Sequence, residues 1–537
     1  MLERVREICA WALARGREKP EHVDSPVRAT VPSWPTMLSA ARSVLFAMLV
    51  TAGVVTLVVY TQRGETPDVT VKPDPERPTV SAADQKHAPV GSAGCLAAAC
   101  HGAPAGKALR REYDEHTWQS SGACWTAADP HTAAYFVLTT TDADTKKGVV
   151  KVSAEHIMAR YAPGTKATED ARCVACHTNP ALAGQDHWDK ADKIALRNEG
   201  VSCEACHGAA GGWQGQHYTA AFKADRKKGY EAHGMEPLYD MGARAGACAG
   251  CHVGAPADPA SGVPVRDMNH DMIAAGHPRL NFDFADYQAR LPRHWQEKDR
   301  TKEPPKPSEP NPAKVWLVGR AAHAEAACKL LEDRVKRAES GDKHTPWPEF
   351  AEFNCAACHH SLRSPNSDEH GDWRQSLNAT GGRPLGVAPW QPIWPLTSAA
   401  GLAWPARDKA ELKEVVLAAE SRPTRNAGPV AAKVAGDIAA LRTKWLNAPD
   451  DEIEALALQY VKDARLPTAP EWDAAAQLFW GAAALKRAKR IPADVADFWK
   501  VRDALRPTEG RGAANEYPFP QMNWKVLEPG FQGILPK

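Results

Sequence analysis

Apolar residues run unbroken only once along this chain, in "SVLFAMLVTAGVVTLVVY", Ser43 to Tyr60, 18 residues without a charge. At helical rise that is roughly 27 Å, about one bilayer core. Arg4, Arg6, Arg15, Arg17, Lys19, Arg28 and Arg42 precede it, and little basic charge follows for many residues. The bias of basic residues toward the cytoplasmic side predicts a cytoplasmic segment over 1–42, a single-pass anchor over 43–60, and export of everything after Tyr60. A cleaved export signal, with translation starting at Met37, is the alternative. The run ends in "VVYTQRGETP", a poor cleavage site, which favours the anchor. Either reading exports the main body.

Beyond the anchor the pattern loses its length. Residues 61–90 are Pro-rich and polar with no apolar face, as expected of an extended linker. Between 91 and 380 apolar residues come in short pieces broken by Gly and Pro. "DPHTAAYFVL" predicts a helix with Asp129 as N-cap and Pro130 in its first turn. The longest predicted helix is "NPAKVWLVGRAAHAEAACKLLEDRVKRAESG", capped by Asn311, opened by Pro312 and closed by Gly341. Trp316, His323, Ala327, Leu330 and Leu331 share one stripe of it. Strands are hard to find. Residues 381–537 change character: a Trp-rich loop, "PWQPIWPLTSAAGLAWP", leads into Ala/Leu-rich amphipathic segments. One of them runs from Asp450 to Leu466, with Ile453, Leu456, Tyr460 and Val461 at helical spacing. The expected fold class is mainly α with much irregular structure, followed by a C-terminal helical domain over 381–537.

Composition alters this picture in one respect. The formal net charge of +1 gives no sign of a nucleic-acid partner. The 43 prolines suit many irregular connections. The 13 cysteines, however, are not scattered: ten form five close pairs, and a histidine follows each pair at once.

Four pairs have the spacing Cys-x-x-Cys-His: Cys173, Cys176 and His177; Cys203, Cys206 and His207; Cys248, Cys251 and His252; Cys355, Cys358 and His359. This is the attachment sequence of haem c. Each thiol forms a thioether to one haem vinyl group, and the next residue must be His to place an imidazole under the iron. Zinc pairs or a disulfide framework would not require that histidine each time. The opening motif, "CLAAACH", is Cys95, Cys100 and His101 with two extra residues between the thiols. It reads as the same device with a local bulge, and a Cys95–Cys100 disulfide is its rival. Five covalent haems would also explain the scarcity of regular structure, because the macrocycles would supply much of the core. Residues 91–380 are therefore read as a pentahaem domain.

Nineteen of the 20 histidines follow Tyr60, leaving 14 for the distal side of the irons. "NHDMIAAGHPRL" offers His270 and His277, two helical turns apart, with Pro278 ending the helix and Asp271 a possible hydrogen-bond acceptor. They could serve two different haems. Met268 and Met272 beside them leave methionine ligation open. His131 in "DPH", His116 and His217 close behind haem motifs, and His323 on its helix stripe complete the candidates. A lone histidine such as His323 is often a hydrogen-bonded core residue. Of the remaining cysteines, Cys9 precedes the anchor. Cys124 and Cys328 are both exported, either as a disulfide or as free thiols.

The series "CxxxxCH … DPH … RCVACHT … EGVSCEACHG … CAGCH … HDMIAAGHPRL … FNCAACHHSL", over about residues 90–375, resembles bacterial multihaem cytochromes of the cytochrome c-554 type. That group is related to hydroxylamine oxidoreductase and pentahaem nitrite reductase. The resemblance implies closely spaced, mostly bis-His haems forming an electron wire, and it carries over the five triplets together with His131, His270 and His277. It does not extend to the anchor or the C-terminal third. The chain lacks the Cys-x-x-Cys-Lys of the nitrite reductase and the three further motifs of the oxidoreductase. These departures favour an electron carrier at the inner membrane, with its haem domain on the periplasmic or equivalent side and a redox protein or membrane complex as partner. The alternative is an oxidoreductase of a small nitrogen or sulfur species with one open-coordination haem.

Overall fold

In the computed structural model the described residues are 88–104, 117–183, 190–299, 306–352, 427–463, 472–491 and 496–505, less a few single positions, with 530 and 533–534 near the end. The expected anchor and linker, His116, the Cys355–His359 motif and the Trp-rich loop lie outside them. Among the described residues, no helix is long and apolar enough to cross a membrane.

The chain is mainly helical. Its only strands among the described residues are two antiparallel two-residue pieces, β1 (Lys298–Asp299) and β2 (Lys306–Pro307). The motif-bearing part is built from short helices: α1 (Ser121–Ala128), α2 (Asp142–Lys146), α3 (Ala154–Tyr161), α4 (Ala171–His177), α5 (Lys190–Arg197) and α6 (Cys203–His207). They are followed by α7 (Ala220–Ala224), α8 (Arg226–His233), α9 (Met241–His252), α10 (His270–Ala274) and α11 (Phe284–Arg290). Polar caps explain several of the starts. Asp170, Thr219, Asp225, Asp240 and Asn269 each accept a backbone N–H in the first turn of the helix they precede.

The helix α12 runs from Pro312 to Glu339, as its sequence predicts. Asn311 Oδ1 accepts from the N–H groups of Ala313 and Lys314, and the chain leaves through Gly341 at φ +81°. It packs against α9 and α11 and against the C-terminal helices α13 (Ala427–Asn447), α14 (Asp450–Asp463) and α15 (Trp472–Arg487). α16 (Ala496–Leu505) packs on α15. Leu317, Ala321, Ala324, Cys328 and Leu331 share a core with Ala431, Val434, Ala435 and Ile438. Alanine at so many of these positions lets the helix axes approach closely. Trp316 packs edge-on against Tyr460, ring centroids 5.2 Å apart. Of the α14 positions expected on one face, Ile453, Tyr460 and Val461 are buried in this core and Leu456 packs against it.

Two local predictions are corrected. "DPHTAAYFVL" forms two 3-10 turns, Pro130–Ala133 and Phe136–Thr139, and not one α-helix. The His131 carbonyl accepts from Val201 N–H, and the Ala134 carbonyl accepts from the His177 ring. These tertiary bonds take acceptors that an α-helical ladder would use. The helix after Asn269 stops at Ala274, well short of His277, because Gly276 takes a positive φ of 115°.

Candidate functional site

Three of the four described motifs lie on helices. α4, α6 and α9 each end at the motif histidine, so both thiols and the imidazole project from the last turns. The first motif does not. Its extra residues fold into a tight turn in which Ala97 O accepts from both Cys100 N–H and Gly102 N–H, while His101 N–H returns to Cys95 O. Leu96 fills the space against Gly102 and Gly122, where any Cβ would collide with it. Thus the longer spacing is taken up by a bulge. Cys95 and Cys100 are both free, as are Cys124 and Cys328. Cys124 approaches Arg293 O, whereas Cys328 is buried on α12 among the C-terminal helices.

Opposite each of these four motif histidines stands a second histidine. His101 faces His217 with ring centroids 6.3 Å apart, and His177 faces His277 at 6.4 Å. His207 faces His294 at 6.5 Å, and His252 faces His131 at 6.1 Å. Two imidazoles held on opposite sides of one metal by bonds of about 2.0 Å, with ring nitrogens about 1.1 Å from their centroids, would be about 6.3 Å apart. The four spacings therefore fit one iron between each pair.

The ring hydrogen bonds agree. His101 Nδ1 contacts Trp118 O and Ser121 Oγ, both at 3.0 Å. His177 Nδ1 donates to Ala134 O, His217 Nδ1 to Gln214 O and His277 Nδ1 to Pro278 O, each at 2.8 Å. His131 Nδ1 donates to Asp129 Oδ1 at 2.8 Å. With Nδ1 so engaged, Nε2 is left to bind a metal. A ligand imidazole must be neutral, and burial ensures it: His207 is pushed down to about 3 and His252 to about 4, with His177, His277 and His294 lowered for the same reason. His131 moves the other way, raised chiefly by its bond to Asp129.

A cleft opens where the second pair meets. Cys173, Cys176, His177 and His277 line it, with Cys251 of the fourth motif beside them. Two thiols and two facing imidazoles thus line one cleft. Met268 and Met272 also line it, but the ring opposite His177 is that of His277.

The motifs adjoin one another. The Cys95 thiol lies close to that of Cys203, and Cys176 close to Cys251. Cys206 lies within electrostatic range of Cys248 and Cys251. A residue inside the third motif fixes the first of these contacts. Buried Glu204 accepts from the N–H groups of Val90 (2.9 Å), Gly91 (2.8 Å) and Ala210 (2.6 Å), while Glu199 accepts from Ser92 N–H. The segment entering the first motif is thereby pinned to the third.

The other sequence candidates are placed as follows. His270 heads α10, its N–H bonded to Glu349 Oε1 at 2.8 Å and its ring edge-on to Phe350. In sequence, residues 349–352 come just before the fifth motif. His323 stands beside Arg320, 3.0 Å from its Nδ1, and Phe282, which itself stacks on His252. His294 was not among the candidates. It sits in "RLPRHWQEK", with no motif and no helical spacing around it.

Paired thiols with facing imidazoles define a multihaem c-type cytochrome. Within that class, residues 123–208 match the family described as cytochrome c554 and c-prime, a span that takes in the second and third motifs and His131. The match supports a c554-type multihaem cytochrome with covalently bound haem c, working in electron transfer. No curated protein matches the chain, and no solved structure does.

Proposed function

We propose that this chain is a membrane-anchored, exported pentahaem cytochrome c that passes electrons along a row of bis-His sites to a redox partner. The observation that carries this reading is the recurrence of one histidine–histidine spacing, 6.1 to 6.5 Å, at all four described motifs. Haem c, when bound, supplies one-electron exchange between Fe(III) and Fe(II).

The chain's own residues do the rest. Cys95 and Cys100, Cys173 and Cys176, Cys203 and Cys206, and Cys248 and Cys251 would hold four groups covalently, and Cys355 and Cys358 a fifth. His101 with His217, His177 with His277, His207 with His294, and His252 with His131 would fill both axial positions. His359 with His270 is the fifth proposed pair. A second imidazole at each described motif supports a carrier over an enzyme with an open iron. Burial of His177, His207, His252, His277 and His294 favours their neutral form. The thiol contacts order the sites first, third, fourth, second. α10 brings His270 beside the second, since its Met272 lines that cleft. The charge-free run over 43–60 supports the anchor, and the basic residues before it support a periplasmic or equivalent location.

The test combines haem counting with EPR of the full chain. Five haems by pyridine haemochrome assay and only low-spin signals are expected. Four haems would remove the Cys95 site. A high-spin signal that shifts on adding nitrite or hydroxylamine would overturn the carrier reading.

A further inference from the structure

In the proposed row of sites the first pair, His101 and His217, lies at one end. Aromatic rings mark that end at the surface. Trp118, 41% exposed, stands edge-on to His101 at 5.6 Å. Tyr218, 63% exposed, stands edge-on to His217 at 5.5 Å.

The chain leaving Tyr218 builds a basic hairpin next to this end. Thr219 caps α7 and Asp225 caps α8. Phe222 of α7 packs beneath α8 against Gly229 and Tyr230. The hairpin's other end is tied to the third motif: Glu236 N–H donates to His207 O at 2.9 Å. A rigid platform therefore hangs between the first and third motifs. It exposes Lys223, Arg226, Lys227 and Lys228, four cations against the carboxylates of Asp225, Glu231 and Glu236.

We infer that this face, Tyr218 with the α7–α8 hairpin, is the docking surface for an acidic one-electron redox protein that exchanges electrons with the chain at the first site. The inference rests on the electron-carrier reading. Charge complementarity selects the partner and steers its approach, which raises the association rate and makes it fall with salt. In the step itself one electron leaves the reduced partner, the first-site iron passes from Fe(III) to Fe(II), and no bond forms or breaks.

The test uses the full-length haem-loaded protein and stopped-flow reduction by a reduced acidic [2Fe–2S] ferredoxin at low ionic strength. The variant K223E/R226E/K227E/K228E is compared with a control reversing four cations elsewhere, K146E/K147E/K151E/K166E. An uncharged reductant is run in parallel. Expected is a drop of about tenfold or more for the hairpin variant with ferredoxin, loss of its salt dependence, little change in the control, and equal rates with the uncharged reductant. Equal ferredoxin rates for hairpin variant and wild type would overturn the docking surface. So would binding to anionic vesicles that depends on the hairpin while ferredoxin rates do not. Failure of the wild type to accept electrons from the uncharged reductant would instead sink the carrier reading beneath it.

Discussion

The His294 ring stands 6.5 Å from that of His207, inclined at 63°. Eighty-odd residues separate the two in sequence, yet their spacing matches the other three pairs. His294→Ala is therefore expected to leave the haem count unchanged, because Cys203 and Cys206 remain. One low-spin EPR signal should give way to a high-spin one. His323→Ala should change no axial signal. A fully low-spin His294→Ala protein would show that another residue serves the third motif.

His131 differs from the other paired rings in giving its Nδ1 proton to a carboxylate, that of Asp129. The negative charge increases the basicity of the ring and favours oxidised metal. Asp129→Asn keeps the shape and removes the charge. The potential of the fourth site is expected to rise by on the order of tens of millivolts in a potentiometric titration, with the other sites nearly unmoved.

Glu204 satisfies three backbone donors from two separate segments. Glu204→Ala strips their acceptor and should cost at least about 2 kcal/mol in denaturant unfolding. Glu204→Gln retains one acceptor oxygen and should cost less. Equal stability of the Ala variant and the wild type would mean that water replaces the carboxylate without loss.

Burial pushes the Glu352 carboxyl up to about 7, against the pull of Arg334. The folded chain thus keeps a proton that the unfolded chain releases near the ordinary Glu value of about 4.3. The stability this proton contributes is complete at pH below about 4 and is lost as pH rises through 7, by a few kcal/mol in all. Glu352→Gln has no proton to lose. Between pH 5 and 8 the wild type should fall in stability relative to this variant, as followed by thermal unfolding. A constant difference across that range would contradict the shift.

Much of the site could be read from sequence because haem attachment is a local chemistry. Two thiols and the next imidazole must meet one macrocycle, so the triplets announce themselves. The long helix from Pro312 was equally legible, since Asn311, Pro312 and Gly341 act on their immediate neighbours. Distal histidines follow no such rule. His217 and His277 carried hints, one behind a motif and one before Pro278. His294 carried none, because it is brought to His207 only by the tertiary path of the chain; the one available signal was that each proximal ring needs a partner. His323 shows the converse. Its stripe on α12 correctly placed it facing inward, but Arg320 and Phe282 surround it there. The "DPH" segment failed as an α-helix because Val201 and the His177 ring compete for its carbonyls, and no local pattern records them.

Glu204 also bears on the order in which the molecule can be made. The segment at residues 88–92 docks onto carboxylates more than a hundred positions downstream. A chain emerging from an export channel amino end first presents Cys95 and Cys100 long before Glu199 and Glu204 arrive. If the chain is exported as proposed, the opening motif waits, undocked, until the third has followed it. On that reading maturation meets the first site as undocked chain and closes it late, when two motifs about a hundred positions apart are drawn together.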